Sequence, residues 1–146
     1  MLNRDFKEFI KSLNDRGVRY LVVGGYAVAF HGYPRYTGDM DVWVEPTEEN
    51  AQRLIEALED FGFASLGLKK EDFLEPDQIV QLGYPPCRID IFTSLPGVEF
   101  GSCYQDRVEE EIGGIKVNFV DLECLKKSKK ASGRAQDLAD LEQLEL

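Results

Sequence analysis

The sequence has 146 residues, 43% hydrophobic and 30% charged, an ordinary balance for one soluble globular domain long enough to bury a core. A net charge of −10 excludes a protein that coats duplex nucleic acid, which needs a basic footprint to release counterions. No apolar run approaches the roughly 18 residues that span a membrane, and the N-terminal MLNRDFKEFIKSL, with Asp5 and Glu8 among its apolar residues, has no signal-peptide core, so a cytoplasmic location is expected.

The elements read as follows. Phe6, Phe9, Ile10 and Leu13 recur at helical spacing, which predicts an amphipathic helix over 3–16 closed by Gly17. Val18 to Val23 is a short β-branched strand, and residues 26–31 form a brief helix stopped by Gly32 and Pro34. Over 38–45 the pattern alternates: Met40, Val42 and Val44 share one face, and Asp39, Asp41 and Trp43 the other. PTEENAQRLIEALEDFG is a helix opened by Pro46 and Thr47, with Asn50 as an alternative cap and Leu54, Ile55 and Leu58 as its apolar stripe. Residues 64–77 read as loop. Strands are expected at Gln78–Leu82 and Arg88–Phe92, and Gly113-Gly114 makes a hairpin turn between 109–112 and 115–120. From Asp121 the chain is helical, with a break at Gly133 and a stripe of Leu138, Leu141 and Leu144. The whole reads as a single domain over 1–146 with a C-terminal helical segment over 121–146. Cys87, Cys103 and Cys124 are odd in number, widely spaced and without a CxxC pair, which points to reduced thiols.

The chemistry concentrates in residues 21–45. Gly24-Gly25 sits at a strand-to-helix turn, where glycines let the backbone approach phosphate oxygens and the following helix directs free N–H groups at the same place. Thirteen residues after Gly25 the second strand begins, and Asp39 and Asp41 lie two apart on one of its faces, Cα atoms about 6–7 Å apart by strand rise. Two such carboxylates repel each other unless a cation lies between them. In RIDIF, Ile89 and Ile91 face the core while Arg88 and Asp90 face the other way, so a third acid on another strand completes a plausible two-metal site. Other phosphate and metal motifs fail. The acidic pair lacks the remaining ligands of a calcium loop, no GK[ST] follows the glycines, and GGYAVA is not a GxGxxG fingerprint.

This order, with its spelling GGYAVAFHGYPRYTGDMDVWV, RIDIFT and GRAQDLADL, resembles the polymerase-β-type nucleotidyltransferase superfamily and its small bacterial AbiEii-like and minimal members. The resemblance touches roughly residues 18–45, 86–93 and 121–144. It implies an α+β (α/β-like) nucleotidyltransferase fold, a short mixed sheet flanked by helices. It implies transfer of a nucleoside monophosphate from an NTP to a hydroxyl. Gly24 and Gly25 would cradle the β- and γ-phosphates, Asp39 and Asp41 would ligate two Mg²⁺ ions, with Mn²⁺ as an alternative, and Asp90 would ligate the catalytic ion and take the acceptor's proton. Many members carry Gly-Ser where this chain has Gly-Gly, and the missing hydroxyl weakens the expected grip on phosphate.

Around these residues, Arg35 can reach the triphosphate or pair with Asp39 or Asp41, and Thr37 can hydrogen-bond nearby. His31 reads as structural. Lys126, Lys127, Lys129 and Lys130 read mainly as a solvated helix face, from which Lys129, Lys130 or Arg134 can approach the phosphates, while Arg134 and Asp137 pair at i, i+3. Trp43 can stack on a base or pack near a sheet edge. The acceptor is open: a partner protein, a tRNA or a small molecule, met by a partner or a second copy of the chain. The resemblance suggests a toxin–antitoxin or phage-defence setting. A non-catalytic nucleotide-binding or docking module and an antibiotic nucleotidyltransferase stand as alternatives on the same fold.

Overall fold

The computed structural model describes residues 3–33, 37–63, 66–84 and 88–146. Among the described residues the α-helices are α1 (Arg4–Asp15), α2 (Gly24–Phe30), α3 (Glu48–Phe61), α4 (Phe100–Gln105), α5 (Leu122–Ser132) and α6 (Ala135–Leu144). The strands are β1 (Tyr20–Val23), β2 (Met40–Val44), β3 (Ile79–Leu82), β4 (Ile89–Phe92), β5 (Val108–Ile112) and β6 (Ile115–Phe119). They form one mixed sheet in the order β3-β4-β2-β1-β6-β5. β2 runs parallel to β4 and antiparallel to β1, and β1 runs parallel to β6. The result is the α+β architecture expected from the sequence. Among the described residues no helix is long and apolar enough to cross a membrane.

Local chemistry explains the early elements. The Asn3 side chain caps α1 by accepting from the Phe6 N–H at 2.9 Å, and Phe6, Phe9, Ile10 and Leu13 are fully buried on one face. α1 packs against α3, whose buried Leu54 and Leu58 each contribute on the order of 1.5–3 kcal/mol of burial. Thr47 caps α3 from the side chain, accepting from Asn50 N–H at 3.3 Å. Asn50 is therefore not the cap. It turns inward, accepts from Arg19 N–H at 2.7 Å and donates to the Arg19 and Glu45 carbonyls at 3.0 and 2.9 Å, tying the start of β1 to the end of β2. Gly113 and Gly114, at φ of 59° and 82°, make the β5–β6 turn, a conformation other residues rarely take.

Several expectations need correction. The segment read as loop over 64–77 contains a 3₁₀ turn at Lys70–Phe73 that buries Phe73; residues 64 and 65 lie outside the described residues. Helix α4 has too few residues to show a period, and the sequence reading did not anticipate it. The leucine stripe of α6 is not a buried stripe. Leu138 is 45% exposed and Leu141 and Leu144 are half-buried, whereas Asp140 is fully buried. Cys103 and Cys124 are not free thiols: α4 and α5 bring their Cα atoms to 6.0 Å and a disulfide joins them. A separation of 21 residues across a hairpin carries no sign of that proximity. Cys87 lies outside the described residues.

Candidate active site

The site forms where β1, β2 and β4 lie side by side. Parallel register sets Asp41 opposite Asp90, and antiparallel register sets Val23 opposite Asp41, so Gly24 follows directly beside the acid. Gly24 has φ of 64°, and a Cβ there would collide with Asp41 Oδ2 and lie 2.9 Å from Asp41 Cβ. Glycine is thus required twice, by the left-handed backbone and by the carboxylate packed against it. Gly25 is buried in the first turn of α2, whose N-cap, Val23, offers no side-chain hydrogen bond.

β2 is not an edge strand; it lies between β4 and β1, so its acids are not the solvent-facing pair that a bare Asp-x-Asp suggests. Burial is the main force that pushes Asp41 up to about 7, with the charges of Asp90 and Asp39 adding to it and those of Lys129 and Arg88 opposing it. Burial also raises Asp90, against the opposing Arg88. Arg88 is the cation between the strands: its Nη2 is 2.7 Å from Asp39 Oδ2, and its Nε is 3.2 Å from Asp90 Oδ1. That second contact is close but misaligned, so both Arg88 Nε and Asp90 Oδ1 are buried without a hydrogen-bond partner among the described residues. The sequence reading put Arg88 and Asp90 on one face but did not pair Arg88 with Asp39; it left Arg35 either to reach the triphosphate or to pair with Asp39 or Asp41. The signal was the i, i+2 spacing of Arg88 and Asp90 on one strand. Arg35 lies outside the described residues.

Gly25, Thr37, Asp39, Asp41 and Asp90 line one cavity of about 530 Å³. A second cavity, about 310 Å³, continues from it, with Gly24, Gly25 and Asp41 on one wall and Ser128, Lys129 and Arg134 on the other. Arg134 lines both. Lys129 is not on a solvated face. It is 6% exposed and bonded to Asp137 at 3.0 Å and Asp140 at 3.1 Å. Burial pushes Asp137 upward, but hydrogen bonds from Ser132 and Lys129 outweigh it and leave its carboxyl below the usual value. Arg134 pairs with Asp137 at 3.1 Å, the i, i+3 contact expected, and Lys130 is exposed. His31 Nε2 lies 2.7 Å from the Val120 carbonyl, a contact that ties α2 to the end of β6. Trp43 is 1% exposed and meets the Phe100 ring edge-on at 5.1 Å, so it packs inside the sheet rather than near its edge.

The donor set suits a hard divalent cation. It offers carboxylate oxygens only, with one oxygen orphaned and one acid driven toward protonation first by burial and then by its acidic neighbours. Arg88 occupies part of the space between the acids and would have to yield to such an ion. With Arg88 between them, Asp39, Asp41 and Asp90 do not bring their ligand atoms within 4.8 Å of one another; among the described residues only Cys103, Asp121 and Cys124 do, and there the two sulfurs are joined.

Neither a protein-family model nor a curated protein matches the chain by sequence. Solved structures do match by fold. TM1012 of Thermotoga maritima, a candidate nucleotidyltransferase, superposes with a TM-score of 0.67 at 18% identity, over 96% of this chain and 89% of that one. An antigenic nucleotidyltransferase-like protein of Paracoccidioides brasiliensis gives 0.55 at 20% identity, over 98% and 77%. The lincosamide antibiotic adenylyltransferase LnuA, solved with lincomycin bound, gives 0.58 at 14% identity, over 99% and 97%. The fold is the nucleotidyltransferase fold.

Proposed function

We propose that this chain is a Mg²⁺-dependent nucleotidyltransferase that moves a nucleoside monophosphate from an NTP to a hydroxyl of an acceptor. The observation that carries the reading is the acid row: Asp41 and Asp90 in register, Asp39 beside them, in a cavity that runs on past Gly24-Gly25 toward Lys129 and Arg134. Held by Asp39, Asp41 and Asp90, Mg²⁺ (two ions, or Mn²⁺) would neutralise phosphate charge and polarise the reacting phosphorus. The chain's own residues do the rest. Gly24 and Gly25 leave the backbone open to the β- and γ-phosphates. Lys129 on α5 and Arg134 at the start of α6 line the same cavity, where both are already paired with Asp137. The acceptor oxygen bonds to the α-phosphorus, the bond to the bridging oxygen breaks, and pyrophosphate leaves with that electron pair. Asp90 takes the hydroxyl proton, a role favoured by its raised pKa.

The test is thermal shift with each of the four NTPs, with Mg²⁺ or EDTA, on the wild type and on Asp39→Asn/Asp41→Asn. The readout is the ligand-induced shift, because the variant gains stability without ligand by losing repulsion. A Mg²⁺-dependent shift that disappears in the variant supports the reading and identifies the base. No shift with any NTP overturns it in favour of a non-catalytic docking module.

A second reading, antibiotic nucleotidyl transfer, is favoured by the likeness to LnuA over almost the whole length of both chains. Aminoglycosides and lincosamides incubated with NTP and Mg²⁺ test it directly. A toxin–antitoxin or phage-defence setting, in which the acceptor is a partner protein or a tRNA and the site is completed by a partner or a second copy, rests on the sequence resemblance alone.

A further inference from the structure

We propose that the apolar cavity next to the acid row is the acceptor subsite, and that it takes a small hydroxylated amine with an apolar, ring-sized body. The inference rests on the transfer reading above.

The sheet register lays the site out in rows. Asp41, Asp90 and Gln81 stand opposite one another across β2, β4 and β3. Two residues along each strand, Trp43, Phe92 and Ile79 form the next row, about 7 Å away by strand rise and on the same face. This second row lines a cavity of about 960 Å³ walled by Leu95 and Phe100. Phe92 and Arg134 line this cavity and both of the smaller ones, so the three are continuous. A ring seated on the apolar row therefore brings a hydroxyl within reach of Asp90, while the cavity between Gly24 and Lys129 is left for the triphosphate.

Size and charge choose the occupant. The volume is that of a small-molecule site, roughly 300–1,000 Å³. A protein partner would instead need a face of about 800 Å², and the net charge of −10 disfavours RNA. The Trp43 indole Nε1 is buried and has no hydrogen-bond partner among the described residues, an arrangement that costs stability unless something accepts from it. At the rim, Glu45 is paired with Arg19 at 3.3 Å and Asp77 Oδ1 accepts from Ser94 Oγ at 2.8 Å, which leaves Glu99 and the second Asp77 oxygen to complement an ammonium group.

Trp43 is the chain's one tryptophan and lines this cavity, so its emission reports on it, with the titration of NTP and Mg²⁺ without amine as the baseline. The probe is 2-amino-1-phenylethanol, titrated with excitation selective for tryptophan, with and without each NTP and Mg²⁺, on wild type and on Ile79→Asn. Ile79 is 57% exposed on β3, so its change leaves the core alone; circular dichroism checks the fold. The expected result is a saturable emission change that persists with nucleotide bound, is weaker for 1-phenylethanol, which lacks the amine, and is weakened about tenfold in Ile79→Asn. The inference fails if the amine gives no saturable change, if Ile79→Asn binds it equally well, if NTP displaces it, or if unfractionated tRNA alone moves the emission. An NTP shift without an amine response overturns this inference and leaves the transfer reading standing. No NTP shift overturns both.

Discussion

The molecule holds two buried charged clusters, and they are built on opposite principles. In one, Lys129 sits between Asp137 and Asp140, and Ser132, Gln136 and Arg134 supply further hydrogen bonds to the same two acids. In the other, Asp39, Asp41 and Asp90 share Arg88, one Asp90 oxygen is orphaned, and Asp41 is pushed up to about 7. The first cluster is nearly neutral and satisfied, so it fastens α5 to α6. The second carries excess negative charge at the centre of a sheet. Fold stability alone does not require that arrangement; it becomes favourable once a cation arrives. The contrast separates carboxylates that hold the structure from carboxylates that strain it, a strain the proposed Mg²⁺ would relieve.

If the contrast is right, mutation of the two clusters should move stability in opposite directions. Lys129→Met strands Asp137 and Asp140 without their cation and should lower the unfolding free energy by about 3–5 kcal/mol, as measured by urea denaturation. Asp41→Asn should do the reverse in EDTA. Asp41's folded pKa is raised, so the native state holds a proton that the unfolded state has lost. Its charge therefore costs stability as pH rises from 3.8 to about 7. At pH 8 the variant should be the more stable protein by up to roughly 4 kcal/mol, with the difference gone at pH 4. A gap that stays constant across that range would break the comparison.

Gly24→Ala sharpens the comparison by testing the boundary of the acid cluster. It forces a side chain into a left-handed conformation, costing about 1–2 kcal/mol, and it displaces the Asp41 carboxylate. Its NTP-induced thermal shift should therefore fall much further than its stability does. The smallest effect belongs to α6: Leu138→Ser, at an exposed position, should change stability by no more than about 0.5 kcal/mol. A larger loss would mean that the leucines, not the Lys129 cluster, hold that helix.

Much of this was legible in the chain itself. Alternation in 38–45 set Asp39 and Asp41 on one face, and the same pattern in RIDIF turned Asp90 away from the core, because strand side chains alternate by geometry alone. The helical period of Phe6, Phe9, Ile10 and Leu13 and the glycine pairs were equally local signals. Where the period was weak or the residues belonged to contacts distant in sequence, the reading failed. The apolar stripe of α6 pointed at leucines while the fold buried Asp140, since Lys129 from the preceding helix makes that burial favourable. The Cys103–Cys124 bond and the short helix α4 were invisible for the same kind of reason.

By itself, then, the sequence determined which residues can share a face and which turns need glycine, because both follow from the covalent geometry of a few neighbouring residues. Only the tertiary structure decided that β2 lies inside the sheet with Asp41 opposite Asp90, that Arg88 is the cation between them, and that Trp43, Phe92 and Ile79 align beside them as a floor. Those facts depend on strand order and register, which are set when distant segments compete to bury the same apolar surface.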